Sequence, residues 1–451
     1  MALEPQPVAL PPDPDEAEKR RRQQAFGVLF ASLLVVGFGN TMLYAILPPL
    51  ARKIGLPDGY LGWIFSLSAL IWVFSSPFWG RVSDRRGRKP IIALGLGAYA
   101  VSMAGIGIAA SIGLAHWLPW LVVFAALVLA RAIFGAFGSA SNPAAQAYVA
   151  DNSTPARRTG EIAALSSAFA LGAAIGPGLC ASLAAWIARA GADSLGAETA
   201  AGLGLLFPIF LTAAMATIAS YAVARFLPGG GPPSTDAPAP TSSQTGLAQS
   251  WKLARDRRVA PYLIVGLGLS IVGGTLIQTF TFFTMDRLKV DEVLGAEYAG
   301  AALMTGAIAT LAAQLGFLPR LNQTPRVLML WGLTISGLGV AAQCLAGGLS
   351  ALVFSQFLQG FGGGLSRAGY AGGASLAVDA DEQGAVAGLG VSANGAGYVI
   401  SPLTGGVLYQ VAGPLAPLFF CLVLIVAMMV FIARSRRLAA VQPALTRADL
   451  E

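Results

Sequence analysis

Long apolar runs alternate with short polar breaks along the whole chain. Twelve runs reach the length of about 20 residues that a membrane-crossing helix needs: 26–49, 60–79, 90–112, 119–149, 161–188, 201–226, 261–284, 297–318, 326–347, 351–378, 384–410 and 414–433. The runs are continuous, which speaks against a β-barrel built from short strands of period two. The third and fourth runs part at His116-Trp117-Leu118-Pro119, the fifth and sixth at the polar stretch 191–198. The first run is longer than the core of a cleaved signal peptide and passes into a turn at Pro48-Pro49, so it reads as a retained first helix. The pattern predicts an all-α polytopic membrane protein with twelve transmembrane helices.

The breaks organise the chain. Residues 1–25 form a polar tail, 26–227 a first six-helix bundle, 228–259 a linker, 260–434 a second six-helix bundle and 435–451 a second tail. The linker contains Gly-Gly-Gly-Pro-Pro and Pro-Ala-Pro-Thr-Ser-Ser, with too few large apolar residues for a core. The halves echo each other at an offset of 225. The stretch from Arg131 to Gly138 aligns with Gln356 to Gly363, and Gly176-Pro177 aligns with Ser401-Pro402. An internal repeat of six helices predicts two pseudo-symmetric bundles with a substrate site between them near the bilayer midplane.

Charge then sets the expected orientation. With the tails inside, cytoplasmic segments hold 22 Lys and Arg and outer loops five, so both termini are expected in the cytoplasm of an inner (plasma) membrane. Charged residues are 11% of the chain, against about 25% in soluble domains. The net charge of +7 is spread between apolar runs and does not form the single basic face that nucleic acid requires. Cys180, Cys344 and Cys421 lie inside apolar runs without metal-ligand spacing and read as packing residues. No metal or cofactor is expected. The partners expected are the lipid bilayer and a small-molecule substrate, with the chain acting as a monomer.

The loop after the second run reads Gly80-Arg-Val-Ser-Asp84-Arg85-Arg-Gly87-Arg88-Lys89. Gly80 would allow close helix approach and Gly87 a tight turn. Asp84 suits a helix N-terminus, where the dipole favours an anion. This loop resembles the hallmark G-x-x-x-D-R-x-G-R-K/R of the major facilitator superfamily at every defining position. The chain is most similar there to the twelve-span drug:proton antiporters of the tetracycline-efflux-like group. The resemblance implies the major facilitator fold, export of small amphiphilic molecules by alternating access, and a proton gradient as driving force. It also implies an ion pair between Arg88 and Asp151, the acid closing the fourth run. Arg131, in Leu129-Ala-Arg131-Ala-Ile-Phe-Gly135, resembles the family's fourth-span arginine, with one glycine position shifted. Gly172-Ala-Ala-Ile-Gly176-Pro177-Gly178 resembles the bend motif of the antiporter branch, although Cys180-Ala181 stand where a glycine pair is usual.

One departure bears on coupling. Many such antiporters carry a carboxylate in the first span, yet 26–49 holds neither Asp nor Glu. The acids nearest a span are Asp151, Glu161 and Asp379 at cytoplasmic ends, with Asp286 and Glu297 at the outer side. The single histidine, His116, reads as a solvated loop residue. The charges embedded in spans are Arg131 and Arg367, and a charge at such depth is a functional candidate. The bland alternative for Arg131 is a structural arginine bonded to backbone carbonyls. A cavity with two arginines would suit neutral, zwitterionic or anionic amphiphiles. Its candidate lining is Asn40, Tyr44, Gln278, Phe282, Gln356, Gln359, Asn394 and Tyr398. A facilitator or symporter of a small neutral or anionic metabolite remains open on the same fold, as does a non-transporting sensor. An enzyme would need clustered His, Asp or Glu at the membrane surface, a pattern this sequence lacks.

Overall fold

A computed structural model describes residues 14–229, 252–321, 323–379, 382–435 and 438. Most of the expected linker and both tail ends (1–13, 230–251, 436–437 and 439–451) lie outside the described residues. Twelve long helices account for nearly all the rest, and no strand occurs among the described residues. They are α1 (Pro14–Ile54), α2 (Tyr60–Arg86), α3 (Arg88–Leu114), α4 (Trp120–Asp151), α5 (Pro155–Leu195) and α6 (Ala197–Phe226) in the first half. The second half holds α7 (Ala260–Leu288), α8 (Glu292–Arg320), α9 (Pro325–Leu345), α10 (Leu349–Leu376), α11 (Gln383–Ala412) and α12 (Ala416–Arg434).

Ten of the twelve are long and apolar enough to cross a membrane by themselves. The two that fall short in hydropathy are α10 and α11, each with seven glycines. Both are long enough to span, at 28 and 30 residues.

The helix ends have local causes. α1 does not turn at Pro48-Pro49 as the sequence suggested but runs on to Ile54. Leu50, Ala51 and Ile54 are all buried there, so packing outweighs the lost hydrogen bonds and clash of a mid-helix proline. The split between α5 and α6 is also shorter than expected, a single residue, Gly196, at φ +82°. A left-handed backbone costs glycine nothing and so ends one helix as the next begins. α4 contains one 3₁₀ turn, Gly138–Ala140. α8 ends through a π-helical stretch, Ala312–Phe317. Asp291 caps α8 by accepting from the amides of Val293 and Leu294, both at 2.9 Å.

Within the first half α1 packs on α5, α3 on α6, and α2 on α4; in the second, α7 packs on α11, α9 on α12, and α8 on α10. Each pair maps onto its counterpart six helices on. The two bundles meet where α5 lies against α8 and where α2 lies against α11, which the same exchange interconverts. Consecutive helices run antiparallel, so both tails share one face, the tail face, with the α2–α3, α4–α5 and α10–α11 connections. The α8–α9 connection lies there too, and the α1–α2, α3–α4, α5–α6, α7–α8, α9–α10 and α11–α12 connections share the opposite face.

The α1–α5 crossing is backbone on backbone. A Cβ on Gly172 would sit 2.0 Å from the Leu34 carbonyl oxygen, one on Gly176 2.2 Å from that of Phe38, and one on Gly37 2.1 Å from that of Phe169. Only hydrogen fits there. Small residues play this part in membrane interiors, where dispersion contacts replace the hydrophobic effect between helices.

Candidate functional site

The deepest charge is Arg131, on α4 about 17 Å from the helix start at 1.5 Å per residue. It is 4% exposed. Its Nη2 donates to Asn40 Oδ1 on α1. Its guanidinium carbon lies 4.4 Å from the Phe134 ring centroid and 5.6 Å from that of Phe65. Ser68 on α2 donates to the Arg131 carbonyl at 3.0 Å and so ties the two helices at this level. Nε and Nη1 have no hydrogen-bond partner among the described residues. Holding a guanidinium at such depth costs about 3 kcal/mol on insertion scales. Two aromatic faces return on the order of 1–2 kcal/mol. The remaining donors make the site an acceptor-seeking one.

Tyr44 stacks on Phe65 at 4.8 Å, within electrostatic reach of Arg131 and, across the boundary between halves, of Tyr398 on α11. Tyr398 is exposed, which opens this cluster to the cleft between the bundles. Asn394, one turn away on α11, accepts from Ser270 on α7 at 2.8 Å. Arg367 on α10 is exposed as well. Its Nη2 lies 3.2 Å from where a Cβ on Gly273 of α7 would stand, so that glycine leaves it room. The structure thus brings Asn40, Tyr44, Arg131, Asn394 and Tyr398 toward one cleft, with Arg367 on the second-half wall.

Other candidates lie elsewhere. Gln356 donates to Gln359 at 3.3 Å, and Gln359 to Gln343 at 2.8 Å, an amide chain between α10 and α9. Gln343, fully buried, went unnoticed in the sequence, although it is a lone amide in an apolar span. Gln278 is buried, and its Oε1 accepts no hydrogen bond among the described residues. Phe282 does not line the cleft: its ring sits 4.9 Å from the Arg52 guanidinium and 5.7 Å from the Tyr409 ring, within the contact that joins the halves at the opposite face.

That contact is dense. Arg52 at the end of α1 forks between Asp58, at 2.7 Å, and Asp286 of α7, at 2.6 Å. Tyr409 of α11 donates to Asp286 at 2.5 Å. Lys53 reaches Glu292 at 3.9 Å, and Arg189 of α5 pairs with Glu297 of α8 at 3.0 Å. Thr281 donates to the Tyr44 carbonyl at 2.7 Å, and the Gly59 amide donates to Gln410 at 3.1 Å. Two proline bends complete it. A Cβ on Gly300 of α8 would meet the Pro177 carbonyl oxygen at 2.5 Å, and one on Gly62 of α2 would meet that of Pro402 at 2.2 Å. Gly178 likewise abuts Met304 of α8. The bend motif of α5 therefore has two faces, Gly172 and Gly176 toward α1 and Pro177-Gly178 toward the other bundle. α11 repeats this with Gly397 and Ser401 toward α7.

The tail face differs. Arg88 donates to Asp151 at 3.0 Å and pairs closely with Asp84, all within the first half. Asp84 is exposed, as is Arg85, while Lys89 is half-buried. Gly87 joins α2 to α3 at φ +90°. Gly80 has no neighbour within 4 Å of a notional Cβ, so the close approach expected there is not made in this conformation. The start of α11 is equally open at Gly384. Asp379 is exposed just beyond α10, and Arg258 pairs with Asp256 and Glu382 inside the second half. Every polar contact described between the halves lies toward the opposite face, and none of those described joins the halves at the tail face.

Two pseudo-symmetric six-helix bundles joined at one face have the architecture of membrane folds built from internal repeats. A sequence profile of the Major Facilitator Superfamily matches residues 29–323, and the chain belongs to that superfamily. Multidrug resistance protein 2 of Bacillus subtilis (strain 168) is 26% identical over 195 residues, which cover 43% of this chain and 42% of that protein. Multidrug resistance protein MdtG of Proteus mirabilis (strain HI4320) is 30% identical over 162 residues, 35% of this chain and 37% of that one. The chain thus spans only about two fifths of those two relatives. Tetracycline resistance protein, class B, of Escherichia coli is 25% identical over 417 residues, 88% of this chain and 93% of that one. Among solved structures, a bacterial homolog to the human lysosomal transporter Spinster, inward-facing and unoccupied, matches with a TM-score of 0.74 at 16% identity. The match covers 95% of this chain and all of that one. The nucleoside transporter NupG matches with a TM-score of 0.68 at 15% identity, over 92% of this chain and 100% of that one. At such identities the likeness is one of fold.

Proposed function

We propose that the chain exports small amphiphilic molecules by proton-coupled antiport across the inner membrane, with both tails in the cytoplasm. The observation that carries this reading is the buried Arg131, with two unanswered donors beside the aromatic wall of Tyr44 and Phe65, in a molecule whose described polar contacts between halves all lie away from the tails. Such a wall binds an apolar ring system, and the guanidinium orients a carbonyl, enolate or carboxylate on it. With the tails in the cytoplasm, the face free of those contacts is the one where an exporter loads. The drug-resistance names of the relatives point the same way. The transporter acts as a monomer without a cofactor. The hallmark loop Gly80, Asp84, Arg85, Gly87, Arg88 and Lys89, with Asp151, gates the tail face.

No Asp or Glu lies at mid-depth in a described span. The proton then acts at helix ends such as Asp151 or Asp379, or travels in exchange with the charge on the substrate. That same lack favours the second reading, a facilitator or symporter of a neutral or anionic metabolite. Reconstituted vesicles loaded with tetracycline or norfloxacin separate the two. Efflux that accelerates with an imposed proton gradient and stops with an ionophore supports export. Uptake in the direction of the proton supports symport, and no flux of either drug removes the drug-export reading. Arg131→Ala should abolish flux and Arg131→Lys keep only part of it. Normal flux with an unchanged pH profile in Arg131→Ala would reduce the arginine to a structural strut.

A further inference from the structure

An apolar groove of about 590 Å³ runs between α1 and α6 on the outer surface of the first bundle, away from the cleft. Gly27, Ala31 and Val35 of α1 form one side, and Ala219, Ala222 and Phe226 of α6 the other. Positions 27, 31 and 35 recur every four residues, as do 218, 222 and 226, so each set lies along one helix face. Val35 and Ala219 are buried at the floor, whereas Ile218 and Phe226 stand exposed at the rim. The polar atom of the floor is already spent: the Ser32 hydroxyl donates to the Val28 carbonyl at 2.7 Å. The groove therefore asks for a purely apolar occupant along its length.

Its extent fits one leaflet. From Gln24 to Val35 is eleven residues, about 17 Å at 1.5 Å each, and half of a hydrocarbon layer about 30 Å thick is about 15 Å. Its outer end lies at the tail face, and both helix faces become basic there. Arg20 and Arg21 precede Gln24 by four and three residues, so they continue the groove face of α1 by one turn. Arg225 lies in the last turn of α6, with its guanidinium 5.7 Å from the Phe226 ring. All three arginines are exposed, and Gln24 adds an exposed amide at the same level.

We propose that the α1–α6 groove is a binding site for an anionic phospholipid of the tail-face leaflet, its acyl chain in the groove and its phosphate between Arg20, Arg21 and Arg225. Charge complementarity selects this occupant. A neutral lipid leaves three guanidinium groups unanswered, and a bare phosphate leaves the groove empty. Arginines at membrane-helix ends take phosphate through paired N–H donors, and basic pockets between helices hold anionic head groups. The small residues Gly27, Ala31, Ala219 and Ala222 leave room for a single chain in which every methylene is apolar.

The test uses the full-length protein in nanodiscs of phosphatidylcholine with a minor share of phosphatidylglycerol, followed by native mass spectrometry of retained lipid. Preferential retention of phosphatidylglycerol by the wild type is expected. Combined Arg20→Gln, Arg21→Gln and Arg225→Gln should cut that preference on the order of tenfold or more. Arg157→Gln with Arg158→Gln, also on the tail face, should leave it unchanged. Ala31→Phe with Ala222→Phe fills the groove and should reduce retention of both lipids there. Glycerol phosphate in excess should not displace the bound lipid. Equal retention in the wild type and the triple variant overturns the proposal, and so does an equal fall in the Arg157 and Arg158 control. Complete displacement by glycerol phosphate would mean an anion site without the groove, and a second copy of the chain in place of lipid would mean a dimer contact. If the phenylalanine variant does not fold, the arginine variants still decide.

Discussion

At the opposite face the two halves are joined by side chains of unlike charge, whereas at the tail face the pairs described stay within one half. Arg52 reaches across to Asp286, Lys53 to Glu292 and Arg189 to Glu297. Arg88, by contrast, makes both its ion pairs, with Asp84 and Asp151, inside its own half. The hallmark loop is thus assembled but makes no ion pair across the boundary among the described residues. The difference teaches where each charge is held: Asp84 has a ready counter-charge at home. On the gating role proposed for the loop, Asp84 leaves that partner to meet α11 as the tail face closes, and the opposite face loses the Arg52–Asp286 bridge in the same movement.

The strongest way to break this asymmetry is covalent. In a background without Cys180, Cys344 and Cys421, Lys53→Cys with Glu292→Cys should be joined by a short bis-maleimide, abolishing transport. The same reagent on Arg85→Cys with Gln383→Cys should act only after a substrate or low pH has closed the tail face. Efficient linkage of the second pair in the resting protein would overturn the comparison.

Asp84→Asn comes next. It should lower flux by tenfold or more while leaving the resting accessibility of opposite-face cysteines unchanged, because Asp84 makes no contact across the halves here. Arg52→Ala should loosen the opposite face by about 1 kcal/mol, a roughly fivefold shift in population, since its pairs are only partly buried. Acid should act in the same direction. The Arg52–Asp286 bridge holds only while Asp286 is ionised, so the closed face weakens once pH falls far enough to protonate that carboxylate. Asp286→Asn should flatten that pH response in maleimide labelling of the opposite face. The smallest effect belongs to Arg189→Ala. Its side chain is 64% exposed, and the change should stay within the error of the labelling assay.

The twelve helices were legible in the sequence because each must bury its own backbone in an apolar medium. Their ends were less so. The proline pair in α1 and the polar stretch before α6 were read as breaks, but helix packing carried both segments further. The hallmark loop and the proline bends were visible as local motifs. The Arg52–Asp286 bridge was not, since its partners are 234 residues apart and only the meeting of α1 with α7 creates it. Gly80 shows a second limit. A motif records what a residue does over a cycle, and one conformation displays only part of it. Among the cavity candidates, Phe282 sits against Arg52 and Tyr409, a placement created only by the meeting of α1, α7 and α11.

The seven glycines in each of α10 and α11 have a consequence for how the chain is made. A helix enters the bilayer according to its own hydropathy as it leaves the ribosome. α12, with a mean hydropathy of 2.9, enters unaided, and α9, at 1.6, also qualifies by itself. The two between them do not. They must be drawn in by their neighbours, and those neighbours are already made: α10 packs on α8 and α9, and α11 on α7 and α2. A ribosome paused after Leu376 thus leaves α10 beside the helices it leans on most, and the two glycine-rich segments enter as late additions to a wall that already stands.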